Sequence, residues 1–208
     1  MIPSFLLLSS CTLLVLSSSI PFALAQDPVP LGLGQLVWSE EFDYTGSLKS
    51  EYWDYDLGNG NWGWGNGEVQ DYTTSNVNVQ NGNAVITVTE ESSNSFTSAR
   101  IRTNGKVEFK YGSVEARIKL PNLANGLWPA FWLLGSSFYA GTGWPFCGEI
   151  DILEAGSGGS IASGNVNQVV SSAAHWDVNG QYASYFDELN VGSNFVDEYQ
   201  VYRMDWTD

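Results

Sequence analysis

Between residues 76 and 120 the chain alternates apolar and polar side chains in short runs punctuated by Asn-Gly pairs. Residues 76–80 and 83–90 flank Asn81-Gly82, which predicts a hairpin closed by a two-residue type I′ turn. Asn104-Gly105 divides residues 98–103 from 106–111 in the same way and predicts a second hairpin. Val114-Glu115-Ala116-Arg117-Ile118-Lys119-Leu120 alternates without a fault, so one face should be buried and the other solvated. Residues 36–43 predict a first strand and turn, residues 168–176 a strand, and residues 199–206 another. No capped run of helical periodicity follows residue 25. Many short strands separated by turn residues predict an all-β, antiparallel sandwich or barrel.

One stretch departs from this plain alternation. Gly148-Glu149-Ile150-Asp151-Ile152-Leu153-Glu154 packs three carboxylates and three bulky apolar residues into seven positions. The β-branched residues favour a strand, where Glu149 and Asp151 share a face and Ile150 and Ile152 take the other. Strict alternation would turn Glu154 into the core, and burying an unpaired carboxylate is costly. An extra residue near Ile152-Leu153, a β-bulge, would reset the register and put all three acids on one open face. Glu149 and Glu154 would then stand four strand steps apart, about 13 Å at ~3.3 Å per step. Two glutamates leaning together from there approach the ~5 Å separation that a retaining glycosidase uses. A strand edge with solvated acids is the competing reading of the acid pattern alone.

Composition narrows the chemistry. Residues 1–25 carry no charged side chain, contain an apolar run and end in Ala23-Leu24-Ala25. This pattern predicts a secretory signal cleaved before Gln26, although its start lacks the usual basic residue. An uncleaved membrane anchor is the other reading, which the Ser clusters and Pro21 that interrupt the run disfavour. The net charge of −15, from 8 basic and 23 acidic residues, argues against nucleic acid or anionic membrane as a partner. A neutral substrate fits better. Cys11 would leave with the signal, so Cys147 has no intrachain partner and reads as a small core or near-site residue. Nine tryptophans in a secreted, acidic protein suit the stacking of sugar C–H groups on indole faces. Two of them, Trp62 and Trp64, lie in the Gly/Asn-rich stretch of residues 58–67, which reads as a packed, functional loop.

Five stretches together resemble glycoside hydrolase family 16, in its endo-β-1,3-glucanase (laminarinase) branch. They are Gly63-Trp64-Gly65-Asn66-Gly67-Glu68-Val69-Gln70, Ser98-Ala99-Arg100-Ile101, Tyr111-Gly112-Ser113-Val114-Glu115-Ala116-Arg117, residues 126–132 and residues 144–154. Glu-Ile-Asp-Ile-Leu-Glu, with its inferred bulge, is similar to the laminarinase branch rather than to the unbulged five-residue version of lichenases and transglycosylases. The resemblance implies a concanavalin-like β-jelly-roll of two antiparallel sheets with a substrate cleft on the concave face. It implies Glu149 as nucleophile, Glu154 as acid/base and Asp151 as the residue that orients and tunes the nucleophile. Trp128 and Trp132 resemble a sugar-stacking platform, with packing behind the sheet as the alternative. Asn66 and Arg100 resemble residues that bond sugar hydroxyls, a structural salt bridge being the other reading for Arg100. Trp144 would shape the cleft or pack, and His175 would stand near the acid/base or serve as a structural histidine. No cofactor is implied. A structural calcium near Glu41 occurs in some relatives, and a solvated turn acid is the plainer reading there.

The resemblance also implies further strands after residue 206, so residues 26–208 read as a C-terminally truncated family 16 domain. The function implied is a secreted, monomeric endo-β-1,3-glucanase or β-1,3-1,4-glucanase acting on laminarin-like β-glucan by a retaining mechanism. A non-catalytic β-glucan-recognition protein and a cell-wall glucan transglycosylase are the alternatives on the same fold.

Overall fold

A computed structural model describes residues 35–207. The expected signal and the lead that follows it lie outside the described residues. The chain divides into two compact units, one of Gln35–Phe109 and one that begins, among the described residues, at Lys110.

The first unit holds seven short strands: β1 (Asp54–Asp56), β2 (Gln70–Tyr72), β3 (Val77–Gln80), β4 (Asn83–Ile86), β5 (Thr89–Ser92), β6 (Ser95–Ser98) and β7 (Arg100–Arg102). The β3–β4 hairpin forms as expected, with Asn81 at φ 52° and Gly82 at φ 73°, the pair of positive angles a type I′ turn demands. Strands β1 and β7 pair antiparallel, as do β5 and β6, whereas β2 runs parallel to β6. Val77 and Val79 turn inward from β3 onto Leu48 and Ala99, and Phe42, Trp53 and Tyr55 pack around them.

Two expected elements do not form here. Residues 36–43 make no strand. The Glu40 carboxylate accepts the Phe42 N–H and meets the Lys49 ammonium, and Phe42 adopts φ 54°. The segment's polar groups are thereby diverted from a ladder. The second hairpin is replaced by a turn, because the Thr103 carbonyl accepts both the Lys106 and Val107 N–H groups. Only Gly105 of the Asn104-Gly105 pair has positive φ, so the type I′ geometry is not met and β7 pairs with β1 instead.

The second unit contains β8 (Gly112–Lys119), β9 (Ala130–Leu134), β10 (Glu149–Ala155), a one-turn helix α1 (Gly158–Ala162), β11 (Val169–Val178), β12 (Gln181–Asn190) and β13 (Tyr199–Trp206). Strands β9 to β12 form one antiparallel sheet in the order β12-β11-β10-β9, and β8 pairs with β13. Alternation along β8 places Val114, Ala116 and Ile118 inward, as the sequence indicates. The two sheets enclose one core of Ile152 and Leu153 from β10, Val170 from β11 and Tyr202 and Met204 from β13, with Leu120, Leu123 and Phe195 from the connections. Interlocking of two inner faces is what stabilises a sandwich. The sequence reading anticipates neither α1, whose N-terminus is capped by Ser157 accepting from the Ser160 N–H, nor β12. The latter returns from β11 through Asn179 and Gly180, at φ 55° and 80°.

Leu153 is 1% exposed within this core. Leu153→Ala is expected to lower unfolding free energy by about 2–5 kcal/mol, as read by chemical denaturation. A loss below about 0.5 kcal/mol, typical of a surface site, would place Leu153 outside the core.

Candidate active site

The site is built on β10. Opposite β11, Asp151 pairs with Ala173 and Glu154 with Ser171, so three steps on β10 match two on β11. Opposite β9, Asp151 pairs with Trp132 and Leu153 with Phe131. The extra residue thus falls at Ile152-Leu153, where both side chains enter the core at 2% and 1% exposure. Burying two adjacent apolar side chains on the same side is what returns Glu154 to the face of Glu149 and Asp151. Glu149 lies opposite His175 and Glu154 opposite Ser171, four β11 residues away. Trp132, opposite Asp151 on β9, belongs to the same face.

Glycines let the flanking chain close on this strand. A Cβ at Gly135 would stand 1.8 Å from the Cys147 carbonyl oxygen, where the Gly135 N–H donates to Gly148 O at 2.8 Å. Gly156 has φ +96°, and a Cβ there would stand 2.0 Å from the Leu127 carbonyl oxygen. That approach lays residues 127–129 against the end of β10, with the Ala155 N–H donating to Pro129 O at 3.2 Å. Trp128 precedes β9 rather than lying on it. Its ring is 52% exposed, and its side chain donates a hydrogen bond to the Glu154 carboxylate.

Asp151 is the most deeply buried of the three acids, at 5% exposure. Burial, and then the negative charge of Glu154, pushes its carboxyl up to about 7. Its Oδ2 lies 3.2 Å from His175 Nε2, a contact that is an ion pair only while the imidazole is protonated. Burial also raises the Glu154 carboxyl, against the lowering effects of the Trp128 bond and the His175 field. The Cys147 thiol is raised by burial and by Glu149. One ligating atom each of Glu149, Asp151 and His175 lie within 4.8 Å of one another, the only such trio among the described residues. By donor type they could hold a cation, but a carboxyl that keeps its proton to about 7 favours proton handling there. Glu41 is exposed and belongs to no such group among the described residues.

Trp144 flanks the same cluster. Its ring centroid is 5.7 Å from that of His175 and 5.3 Å from that of Tyr182, and the Tyr182 hydroxyl is 2.7 Å from His175 Nδ1. Sequence reasoning missed Tyr182. The Asn179-Gly180 turn signal after the His175 strand would have found it, by folding residues 181–190 back along β11.

Asn66 and Arg100 belong to the first unit. Asn66 is exposed and donates to Glu68 Oε1 at 3.1 Å. Arg100 pairs through Nε with buried Asp56 at 3.0 Å and covers the Trp64 ring at 4.7 Å. The structural salt bridge that the sequence left open is therefore made. In the loop before them, Trp64 is packed while Trp62 stands 79% exposed.

Comparison with known proteins accords with this geometry. The profile of the glycosyl hydrolases family 16 matches residues 66–208. A beta-glucanase of Rhodothermus marinus is 42% identical over 126 residues, covering 58% of this chain and 43% of that protein. Among solved structures, the GH16 protein of the Bacteroides ovatus mixed-linkage glucan locus, in complex with its G4G4G3G product, superposes with TM-score 0.73 at 32% identity, covering 83% of this chain and 71% of that one. The endo-beta-1,3-glucanase from Pyrococcus furiosus gives TM-score 0.68 at 36% identity, covering 83% and 67%. The chain belongs to the glycosyl hydrolases family 16, and the jelly-roll that its sequence implies is the fold of these structures. It spans half or less of the length of the curated relatives it matches.

The Asp151 carboxyl titrates near 7 folded against 3.8 unfolded, so the folded state binds the extra proton. Its stabilising contribution is complete below pH 3.8 and is lost as pH rises through about 7. Asp151→Asn cannot ionise, so its melting temperature is expected to gain on wild type steadily between pH 4 and pH 8 in thermal melts. A constant difference across that range would place the Asp151 titration elsewhere.

Proposed function

We propose that this chain is the catalytic part of a secreted endo-β-1,3-glucanase that cleaves laminarin-like or mixed-linked β-glucan with retention of anomeric configuration. The observation that carries the reading is the convergence of Glu149, Asp151 and Glu154 on one face of β10 beside Trp128, Trp132 and Trp144. In the first step a Glu149 carboxylate oxygen attacks the anomeric carbon. The glycosidic C–O bond breaks, and the departing oxygen takes the proton of Glu154. Water then attacks the glycosyl-enzyme, gives its proton to Glu154, and releases Glu149. The raised Glu154 carboxyl suits an acid that must hold its proton near neutrality. Asp151, between the two, limits the negative charge on the face by keeping its own proton up to about 7. The tryptophan faces supply stacking for a neutral sugar chain, and the reaction needs no cofactor. Secretion rests on the pattern of residues 1–25.

With laminarin as substrate, Glu149→Ala is expected to lose turnover, and added azide is expected to restore a glycosyl azide of inverted configuration. Near-normal hydrolysis by Glu149→Ala would remove Glu149 from the nucleophile role. Trp128→Phe keeps a ring and deletes the donor that favours ionised Glu154. Glu154 should then hold its proton longer, moving the alkaline limb of the pH–rate profile upward. A limb that stays in place or moves down would separate Trp128 from the acid/base.

A further inference from the structure

We infer that Tyr182 is a positioning residue for the carboxylate face, its hydroxyl holding His175 so that Nε2 faces Asp151. The inference rests on the hydrolase reading for its kinetic consequence and on geometry alone for the placement. Tyr182 pairs across the β11–β12 hairpin with Asp177, two residues from His175. Residues two apart on a strand share a face, and a diagonal neighbour is within reach of an aromatic side chain. The phenol oxygen lies 2.7 Å from His175 Nδ1 while Nε2 of the same ring lies 3.2 Å from Asp151 Oδ2. The His175 and Tyr182 rings stack at 5.9 Å with 12° between their planes, and Trp144 packs against both. Both ring nitrogens are engaged and a ring face is covered, so the imidazole has little freedom to turn.

The proton assignment follows from donor chemistry. Once Asp151 is ionised it only accepts, so Nε2 carries the hydrogen and Nδ1 presents a lone pair to the Tyr182 O–H. While Asp151 keeps its proton it donates to Nε2, and Nδ1–H donates to the same phenol oxygen. When the imidazole is charged, the same hydroxyl accepts from Nδ1–H. Tyr182 is 53% exposed, so apolar burial gives a weak reason for a ring at this position. The hydroxyl contact gives a strong one.

The ionisable groups around His175 are Asp151 and Glu149 on β10, with Glu154 in its field, Tyr182 on β12, and Asp177 on its own strand. Asp177 is engaged elsewhere, its Oδ2 accepting the Gly180 N–H at 3.1 Å. Without the Tyr182 hydroxyl the imidazole turns, and ionised Asp151 loses its donor for part of the time. Losing a donor to the charged form raises a carboxyl's titration, so the cluster keeps its protons to higher pH.

His175 is the chain's single histidine, so the ring ¹⁵N signals of the labelled full chain report this residue alone. Above about pH 8, where Asp151 is ionised, wild type is expected to carry hydrogen on Nε2. Tyr182→Phe, which keeps the ring, is expected to give mixed tautomers. Its kcat should fall about tenfold, less than the ~10²–10⁴ a general acid–base group supplies, with KM little changed and the alkaline limb moved upward. An unchanged tautomer overturns the proposal, as does a changed tautomer with kcat within about twofold of wild type. A tautomer shift in a chain that hydrolyses no β-glucan would sink the hydrolase reading and leave the hold on His175 standing.

Discussion

The extra residue in β10 is the constraint on which the site depends. In an unbroken strand Glu154 would point into the core beside Val170 and Met204, where an uncompensated charge costs several kcal/mol. With the bulge, Leu153 takes that place and Glu154 joins Glu149 and Asp151 on the open face. The same two residues therefore settle the core and the chemistry. The neighbouring chain is fitted to this shape. Gly156 admits the Leu127 carbonyl against the end of the strand, and that contact carries Trp128 to Glu154.

Three carboxyls on one face cannot all ionise cheaply, so their protons are shared out by environment. Asp151, the most buried, keeps its proton up to about 7, and Glu154 is also raised. Trp128 and His175 act in the opposite direction on Glu154, so the acid is held between desolvation and polar support rather than simply buried. This balance is what a residue needs if it must give up a proton in one step and recover it in the next.

Much of this was legible in the sequence because it follows from period and sign. The alternation of residues 114–120 and the bulge at Ile152-Leu153 follow from where apolar side chains must go, and the Asn81-Gly82 turn follows from two residues that tolerate positive φ. Legibility failed where short-range polar contacts decided the backbone. Glu40 draws residues 36–43 out of a ladder, and Thr103 turns the chain where a hairpin was expected. The resemblance sets Trp128 beside Trp132 in one platform, but only Trp132 lies on β9, which begins at Ala130. Tyr182 was half legible: Asn179-Gly180 marks the turn that brings residues 181–190 back along β11, but no local pattern marks the hydroxyl as the partner of a histidine seven residues away.

If the bulged strand presents Glu149 as the nucleophile on the same face as Glu154, the glycosyl-enzyme forms on Glu149. An activated 2-deoxy-2-fluoro β-1,3-linked glucoside traps the glycosyl-enzyme of a retaining enzyme, because the fluorine slows the second step. After exposure to this reagent, peptide mass mapping should find the added glycosyl mass on Glu149. Label on another residue, or a first-formed laminarin product of inverted configuration with no label at all, would contradict the account.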